Sequence, residues 1–279
     1  TVNLDTFGEG VRIFITGLAS KLLLANNIGL LWDDVVALGP SRISSPLAWL
    51  GLIAFGFQIY FDFSGYSLMA IGMGKMLGFN FPDNFNYPYI SRSMTEFWKR
   101  WHMTLGSWFR DYVYIPLGGN RKGVKRQLIN LFIVWFLTGL WHGASVNFIL
   151  WGLYFFVLLA IEKTFLSAWL KHHELISHVY FLIGILIGWA IFALTDLNIL
   201  GAYLIRLFSF TGSADVLYYL RNYGFILIAC TLFSTPILSK LKTIRWVSPV
   251  LKLATGFLFI ISIAYLVDST YNPFLYFRF

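Results

Sequence analysis

The charged residues divide this 279-residue chain into long apolar stretches and short polar connections. Five stretches contain no Asp, Glu, Lys or Arg: residues 43–61, 127–161, 175–195, 222–239 and 253–267. Four of them are 15 to 21 residues long, close to the roughly 20 residues that an α-helix needs to cross a lipid bilayer. The pattern predicts an all-α, polytopic integral membrane protein.

The stretch 127–161 stands apart because it runs for 35 residues. As one helix it would be about 52 Å long against a hydrocarbon core of about 30 Å, too long for one crossing and slightly short for two. The charges that flank this stretch distinguish between one crossing of the membrane and two. Residues 92–126 carry eight basic and two acidic side chains, residues 240–252 carry four basic and no acidic ones, and residues 196–221 are balanced.

Lys and Arg concentrate in the cytoplasmic loops of membrane proteins. Both basic loops lie on that side only if the stretch 127–161 enters the membrane and returns. We therefore predict a helical hairpin or re-entrant pair that turns at residues 141–145, with residues 196–221 on the opposite side of the membrane.

Two segments have a weaker pattern. Residues 1–31 carry Arg12 and Lys21 among apolar positions, so an interfacial or short tilted helix and a full span both remain open. Residues 63–79 are rich in Gly and Met, and we expect them to continue the preceding helix after a break. The sequence has no repeat, low-complexity tract or linker, which predicts a single membrane-embedded region over residues 1–279.

The composition supports the membrane interpretation. Hydrophobic residues make up 58% of the chain and charged residues 12%, whereas a soluble domain carries about 25% charged residues. So few charges exclude a soluble enzyme, a disordered chain and a coiled coil. The sole cysteine, Cys230, excludes an intramolecular disulfide and a cysteine-based metal site, and we predict no metal site.

His142 lies at the turn of the predicted hairpin. An ionisable group at membrane depth is costly and points to a function. Polar side chains recur on one helix face at spacings built from three and four residues: Asn130, Thr138, His142 and Ser145. Gly139 and Gly143 would let a helix or a substrate approach closely. The alternative is a neutral histidine hydrogen-bonded between helices, and we favour the functional interpretation.

Residues 93–117 form a second unusual segment. Apolar side chains recur there at helical spacing: Trp98, Trp101, Leu105, Trp108 and Tyr112. This predicts an in-plane amphipathic helix at the lipid headgroups. Lys99, Arg100 and Arg110 lie off this stripe. They either belong to a membrane anchor or form a cytoplasmic face that binds an anionic partner. His102 is either the polar edge of the stripe or a second site residue.

The remaining motifs narrow the choice of chemistry. Asp62, at the end of the first uncharged stretch, is interpreted as a hydrogen-bonding residue in helix packing rather than part of a polar tunnel. The sequence contains no G-x-S-x-G elbow and no P-loop, so a serine esterase and a nucleotide hydrolase have no support. His142 and His102 therefore stand as the candidate catalytic residues.

Three strings carry a resemblance to a known family: residues 57–123, which include SGYS and FWKRWH, residues 137–154, which read LTGLWHGASVNFILWGLY, and the closing YNPFLYFRF. They resemble the membrane-bound O-acyltransferase family, above all its alginate O-acetylation branch, with the teichoic acid D-alanyl transferases more distant. The similarity covers nearly all of residues 17–279. Leu68 stands where Asp usually follows SGYS. Family members begin with further membrane helices, so we expect this chain to correspond to the C-terminal portion.

The resemblance implies a helical bundle with interfacial and re-entrant helices around a tunnel. An acyl group would pass from a cytoplasmic thioester donor to an acceptor on the far side. The histidine of the family's WHG motif corresponds to His142, the implied catalytic residue. The histidine of its W-x-R-W-H motif corresponds to His102, a second site residue.

Acyl transfer from a thioester to a hydroxyl requires a base for the alcohol and donors for the developing oxyanion. A neutral histidine supplies the base, typically worth about 10²–10⁴-fold in rate. Asn147, Ser145 or backbone N–H groups near the turn are candidates for the donors. Acetyl-CoA or another acyl thioester would act as a substrate rather than a tightly bound cofactor. Its phosphates would suit a cofactor-binding face at Lys99, Arg100 and Arg110.

The implied partners are this donor, membrane lipids and a periplasmic or extracellular acyl-accepting protein or polysaccharide, with no nucleic acid, at the bacterial cytoplasmic (inner) membrane. Three alternatives remain: a transporter or channel subunit, D-alanyl-type transfer to a cell-wall polymer, and an inactive assembly subunit. Coupled transporters often carry Asp or Glu inside the membrane, and the uncharged stretches between residues 127 and 267 have none.

Overall fold

The fold is described by a computed structural model over residues 3–237 and 247–268. Within these ranges every regular element is a helix, in agreement with the all-α prediction. Lys240, Lys242 and Arg245 of the second predicted basic loop lie outside the described residues, and so does the closing YNPFLYFRF string.

The described residues contain ten α-helices, together with a short 3₁₀ helix at Pro88–Ile90. In chain order they are α1 (Leu4–Leu38), α2 (Ser45–Met76), α3 (Met94–Phe97), α4 (Met103–Phe109), α5 (Gly123–His142), α6 (Val146–His172), α7 (Glu174–Ala193), α8 (Leu197–Leu207), α9 (Asp215–Phe233) and α10 (Val247–Asp268). Helix α1 is π-helical at Ser20–Ala25 and α6 at Glu162–Leu166, and a π-helical turn, Arg110–Tyr114, follows α4.

Five of the described helices are long and apolar enough to cross a membrane: α1, α2, α6, α7 and α9. The predicted spans 43–61 and 175–195 fall on α2 and α7, and the described part of 222–239 falls largely on α9. The stretch 253–267 lies within α10. The prediction of a multi-pass membrane protein is confirmed.

Helices α1 and α2 differ from two details of the prediction. The described residues 4–31 belong to one continuous helix, Leu4–Leu38, whose 35 residues are enough for a span. The expected break before residue 63 is wrong, because α2 runs unbroken to Met76. Its glycines serve close approach instead: a Cβ on Gly65 would lie 2.7 Å from the Gly17 carbonyl oxygen, and one on Gly72 2.6 Å from that of Gly10.

Asp62 forms a buried ion pair between the same two helices. The Lys21 Nζ and the Asp62 Oδ1 are 2.5 Å apart, and both side chains are less than 10% exposed. The interpretation of Asp62 as a hydrogen-bonding residue in helix packing agrees with this contact. Its basic partner was not predicted, since Lys21 is 41 positions away in the sequence.

The predicted hairpin over 127–161 is confirmed. Helix α5 ends at His142 and α6 begins at Val146, so the turn falls within 141–145 as expected. The two helices touch through glycine: a Cβ on Gly139 would lie 2.5 Å from the Phe148 carbonyl oxygen, and one on Gly152 would strike the Trp135 carbonyl oxygen. The absence of side chains at these two positions allows the backbones to meet.

The described chain divides into two compact units. The first comprises the described residues within 1–38, 49–84 and 212–279, and in it α9 and α10 pack against α1. The second comprises residues 39–48 and 85–211, with α6 packed against α5 and α7. In this second unit the Ser45 hydroxyl donates to the Arg206 carbonyl oxygen at 2.8 Å, which ties residues 39–48 to α8. Both candidate histidines belong to the second unit.

Candidate active site

Residues 93–117 do not form the single amphipathic helix that their spacing predicts. Helix α3 ends at Phe97, His102 adopts a left-handed backbone with φ of 46°, and α4 starts at Met103. The expected stripe is split at this point. Trp101 is 2% exposed, whereas Trp108 and Tyr112 are 51% and 69% exposed. The prediction was wrong because a positive φ interrupts the helix and turns its first half into the core.

The turn between α3 and α4 is held by packed aromatic rings. The Trp98 ring centroid lies 4.8 Å from that of Trp135 on α5 and 4.9 Å from that of Phe155 on α6. The Trp101 centroid lies 4.9 Å from that of Trp189 on α7. Edge-to-face and tilted contacts at these distances are favourable beyond simple burial. The turn that carries His102 is thereby fixed against three helices.

A buried carboxylate holds the start of α3. Glu162 is 1% exposed and accepts hydrogen bonds from the backbone N–H groups of Met94 at 2.6 Å and Thr95 at 2.9 Å. It also accepts from the Thr95 hydroxyl at 2.6 Å and the Tyr180 hydroxyl at 3.2 Å. Glu162 was not predicted as a site residue, although it is the first acid after the longest uncharged stretch.

His142 lies at the C-terminus of α5, where Gly143, with φ of 153°, lets the chain turn. Its ring centroid is 4.9 Å from that of Trp151 on α6 and 5.2 Å from that of Phe192 on α7. The neighbouring Trp141 ring lies 5.9 Å from the His102 ring. The imidazole of His142 is therefore placed by aromatic rings from both following helices.

The two histidines, 40 positions apart in sequence, line one cavity of about 280 Å³, here called the histidine cavity. Three basic side chains and two threonines also line it: Lys99, Arg110, Lys163, Thr95 and Thr138. Aromatic and aliphatic side chains form most of the rest. An apolar pocket with a few convergent polar groups is the usual form of a site for a small organic group.

Burial lowers the pKa of His102 to about 4. Desolvation penalises the charged imidazolium, so the ring is neutral near pH 7. A neutral imidazole has one nitrogen that can accept a proton or a hydrogen bond. The cavity therefore holds a group suited to proton transfer.

The predicted polar stripe on α5 does not act as one surface. The Asn130 amide donates to the carbonyl oxygens of Leu117 and Gly119, at 3.3 and 2.9 Å, and so anchors the preceding loop. Ser145 lies exposed in the turn. Of the stripe, Thr138 and His142 line the histidine cavity.

The side chains suggested as oxyanion donors lie elsewhere. Asn147 is fully buried, and its amide donates to the carbonyl oxygens of Ile191 at 3.2 Å and Phe192 at 3.0 Å. Both of its N–H groups therefore join α6 to α7. Neither Asn147 nor Ser145 is among the described residues that line the histidine cavity.

The three basic residues expected to bind the donor are separated by the structure. Lys99 and Arg110 line the histidine cavity, whereas Arg100 pairs with Glu96 at 3.0 Å and is not part of the lining. Arg110 bonds Asp111 at 2.8 Å. Lys163 lines the cavity but was missed, because it follows the hairpin and lies far from the basic loop in sequence.

Comparisons with known proteins agree with the resemblance. Residues 38–205, more than half of the chain, match the profile of the membrane-bound O-acyltransferase family. The probable alginate O-acetylase AlgI of Pseudomonas fluorescens is 44% identical over 211 residues, which cover 75% of this chain and 42% of the relative. The chain thus spans well under two thirds of the length of this curated relative.

Two further relatives act on cell-wall polymers by name. The peptidoglycan O-acetyltransferase of Helicobacter pylori is 40% identical over 62% of this chain and 32% of its own length. The teichoic acid D-alanyltransferase of Bacillus subtilis is 37% identical over 61% of this chain and 44% of its own length. All three names describe transfer of an acyl group or acetylation.

Proposed function

Because this chain belongs to the membrane-bound O-acyltransferase family, we propose that it transfers an acyl group, namely acetyl, from a thioester donor to the hydroxyl of an exported polysaccharide such as alginate. Acetylation and alginate both appear in the name of the Pseudomonas fluorescens relative, which is 44% identical to this chain. The proposed location is the bacterial cytoplasmic membrane, with the donor on the cytoplasmic side.

The observation that carries this proposal is the meeting of His142 and His102 in one largely apolar cavity. Each histidine comes from a motif that resembles the family's, and the fold brings them together from two separate elements. A cavity of about 280 Å³ has room for an acyl group and the end of its thioester arm. Its apolar walls would exclude the water that competes for a thioester.

The proposed reaction is one acyl exchange. His142 accepts the proton of the acceptor hydroxyl as its oxygen attacks the thioester carbonyl carbon. The carbon–sulfur bond breaks, a carbon–oxygen ester bond forms, and the proton returns to the departing thiolate. His102, held neutral by burial, is the second site residue and orients or relays the proton. General base catalysis of this kind contributes about 10²–10⁴-fold.

The test is the O-acetyl content of the exported polysaccharide in cells that lack the gene and carry either the wild-type protein or His142→Ala. We expect the deletion to abolish acetylation, wild type to restore it and the variant not to restore it at matched membrane abundance. His172→Ala is the matched control, because His172 is exposed and lies outside the cavity lining.

Two results would contradict the proposal. Full acetylation with His142→Ala would remove its catalytic role and leave His102 as the candidate. Unchanged acetylation in the deletion strain would exclude this polysaccharide as the acceptor. D-alanyl or acetyl esters on a cell-wall polymer would then be measured in the same strains.

A further inference from the structure

His102 has a backbone conformation that must be enforced by its surroundings. Its φ of 46° lies in the left-handed region, where the Cβ of an L-residue crowds the following carbonyl oxygen. Such a conformation persists only where the surrounding structure over-determines it. A second non-glycine residue of the same compact unit, Tyr87, has a φ of 45°. The contacts that enforce these conformations therefore decide where the His102 imidazole lies.

Asn86 and Arg100 join the two segments that carry these residues. The Asn86 N–H donates to the Arg100 carbonyl oxygen at 2.9 Å, and the Arg100 Nη1 donates to the Asn86 carbonyl oxygen at 3.1 Å. Tyr87 directly follows Asn86, and His102 follows Arg100 by two positions. This reciprocal pair of hydrogen bonds fixes the backbone just before both left-handed residues.

The Arg100 guanidinium also reaches the first turn of α3. Its Nε and Nη2 each lie 3.0 Å from the Glu96 Oε1. The other oxygen of this carboxylate accepts from the Arg92 N–H at 3.0 Å, and the Glu96 N–H donates to the Ser93 hydroxyl at 3.0 Å. Glu96 is thus held at the start of α3. All three guanidinium nitrogens are engaged, and together they connect α3 to residue 86.

Arg100 lies behind the site and not in it. Arg100 does not line the histidine cavity, whereas His102 does. Between them, Trp101 is 2% exposed and its ring centroid lies 5.0 Å from that of Phe85, the residue before Asn86. On the other side of the turn, the Gly106 N–H donates to the His102 carbonyl oxygen at 3.0 Å. The contacts of Arg100 are therefore with the support of His102.

We propose that Arg100 is a positioning residue, whose bonds to Asn86 and Glu96 hold the turn in the conformation in which His102 lines the histidine cavity. The effect on catalysis rests on the proposed acyltransferase function. In this role the guanidinium acts through its planar fork, which an ammonium group does not reproduce. The donor-binding role that the sequence suggests for Arg100 requires its positive charge. The two roles therefore make different demands on the side chain.

Arg100→Lys separates geometry from charge. We expect it to lower the O-acetyl content of the exported polysaccharide by at least about tenfold at matched membrane abundance, because a displacement of about 1 Å in a site can cost about 10²-fold in rate. The measurement uses cells that lack the gene and carry either the wild-type protein or the variant.

The matched control is Arg206→Lys. Arg206 belongs to the same compact unit and is half-buried, as Arg100 is. Its Nε donates to the Pro40 carbonyl oxygen and its Nη1 to the Thr211 hydroxyl, both at 2.7 Å. It does not line the histidine cavity. The control therefore loses a similar fork of hydrogen bonds, and we expect it to retain wild-type acetylation.

A second measurement follows His102 itself and needs no turnover. The purified protein reacts with diethyl pyrocarbonate at pH 7, and mass spectrometry gives the rate at His102 relative to that at His172, which is exposed. We expect this ratio to rise severalfold in Arg100→Lys, because a turn released from its support opens locally. The ratio should stay at the wild-type value in Arg206→Lys.

Glu96→Gln provides a second variant that leaves Arg100 in place. The amide keeps one oxygen for the guanidinium but removes the charge and the second acceptor. We expect a smaller rise in the ratio than in Arg100→Lys. Because this variant disturbs the same support from its other end, it also tests the proposal if Arg100→Lys does not accumulate in the membrane.

Three results would overturn the proposal. Wild-type acetylation in Arg100→Lys would show that charge alone suffices. Equal losses of acetylation in Arg100→Lys and Arg206→Lys would assign the effect to general destabilisation. An unchanged ratio in Arg100→Lys or in Glu96→Gln would show that the support does not act on His102.

The reactivity measurement also separates this proposal from the proposed function. A raised ratio in Arg100→Lys, together with an intact polysaccharide ester in His142→Ala, would support the positioning of His102 and contradict the acyltransferase role of His142.

Discussion

The carboxylate of Glu162 is among the most heavily bonded side chains of the site, and its removal tests what positions the turn that carries His102. Glu162→Ala would leave the buried N–H group of Met94 and the half-buried N–H group of Thr95 without their acceptor. An unsatisfied buried group costs about 1–3 kcal/mol, so we expect a loss of about 3 kcal/mol in unfolding free energy. In detergent, this loss corresponds to a fall of roughly 6–12 °C in the unfolding temperature.

Two further variants serve as comparisons for Glu162→Ala. Glu162→Gln keeps one acceptor oxygen and should lose less stability than Glu162→Ala. Glu174→Ala removes an exposed carboxylate paired with Arg92, and such surface pairs contribute about 0–1 kcal/mol. Equal losses for Glu162→Ala and Glu174→Ala would show that the buried bonds contribute little.

The low pKa of His102 gives the protein a pH-dependent stability. Its folded pKa of about 4 lies below the usual 6.5. Between these values the unfolded chain binds a proton that the folded chain does not, so stability falls as the pH drops. We expect the unfolding temperature to fall between pH 7 and pH 5, and to fall less in His102→Asn.

The control for this pH effect is His172→Asn, which removes an exposed histidine. Its unfolding temperature should follow that of the wild type across the same range. If His102→Asn and the wild type lose the same number of degrees, burial of His102 does not set the pH dependence.

At the scale of single residues, the sequence indicated candidate residues better than their contacts. His142 and His102 were named because an ionisable group near a membrane segment is rare and because their motifs resemble a family; the structure places both in one cavity, and their catalytic roles stay predictions. Lys163 and Glu162 were not named, because their neighbours in the fold are distant in sequence. Asn147 was one of several candidate oxyanion donors, and its amide joins α6 to α7, which sequence spacing does not reveal.

At the scale of elements, the hairpin of α5 and α6 depends on the contact at Gly152. A Cβ there would strike the backbone carbonyl of Trp135, so Gly152→Ala must push the two helices apart. Overpacking of this kind typically costs about 1–3 kcal/mol. We expect a lower unfolding temperature in detergent and a displaced His142, measured as reduced polysaccharide acetylation.

Gly224→Ala on α9 is the matched control for the hairpin. A Cβ at Gly224 would have no heavy atom within 4 Å, so the substitution gains helix propensity of about 1 kcal/mol without a clash. The two Gly→Ala variants should therefore shift the unfolding temperature in opposite directions. A shift in the same direction for both would contradict the close approach at Gly152.

The elements with a simple pattern were predicted well. Of the segments with a mixed pattern, residues 63–79 were predicted with a break that is absent, and residues 93–117 were predicted as one helix that is interrupted. The stretches without charged residues correctly predicted α2, α7 and the hairpin, because a helix that crosses lipid must have a definite length. Residues 93–117 have helical spacing throughout, yet their tryptophans pack into the protein core at Trp98 and Trp101 while Trp108 stays exposed. Periodicity alone does not distinguish a ring that faces lipid from one that faces protein.

At the scale of the whole molecule, the distribution of basic loops predicts which end of each helix faces the cytoplasm. In a Cys230→Ala background, we expect Ser145→Cys and Asn198→Cys to react with an impermeant maleimide added outside spheroplasts. Lys122→Cys should react only after the membrane is opened. All three positions are exposed. Labelling of Ser145→Cys from the cytoplasmic side alone would reverse the proposed path of the acyl group.

The membrane class and the family can be predicted from the sequence. The composition is a property of the whole chain, and the motifs that resemble the family are long. The grouping of the described residues into two compact units does not, since it depends on which helices touch. The single membrane-embedded region over residues 1–279 stays a prediction.

The buried pair of Lys21 and Asp62 has a consequence for how the protein is made. A lysine at the centre of a helix costs roughly 2.5–3.5 kcal/mol during insertion into the bilayer, so α1 enters lipid poorly by itself. Its partner is synthesised 41 residues later, a delay of roughly 2–8 s at ordinary rates of translation. Helix α1 should wait beside the translocon until α2 emerges, and the two should leave it as a neutralised pair.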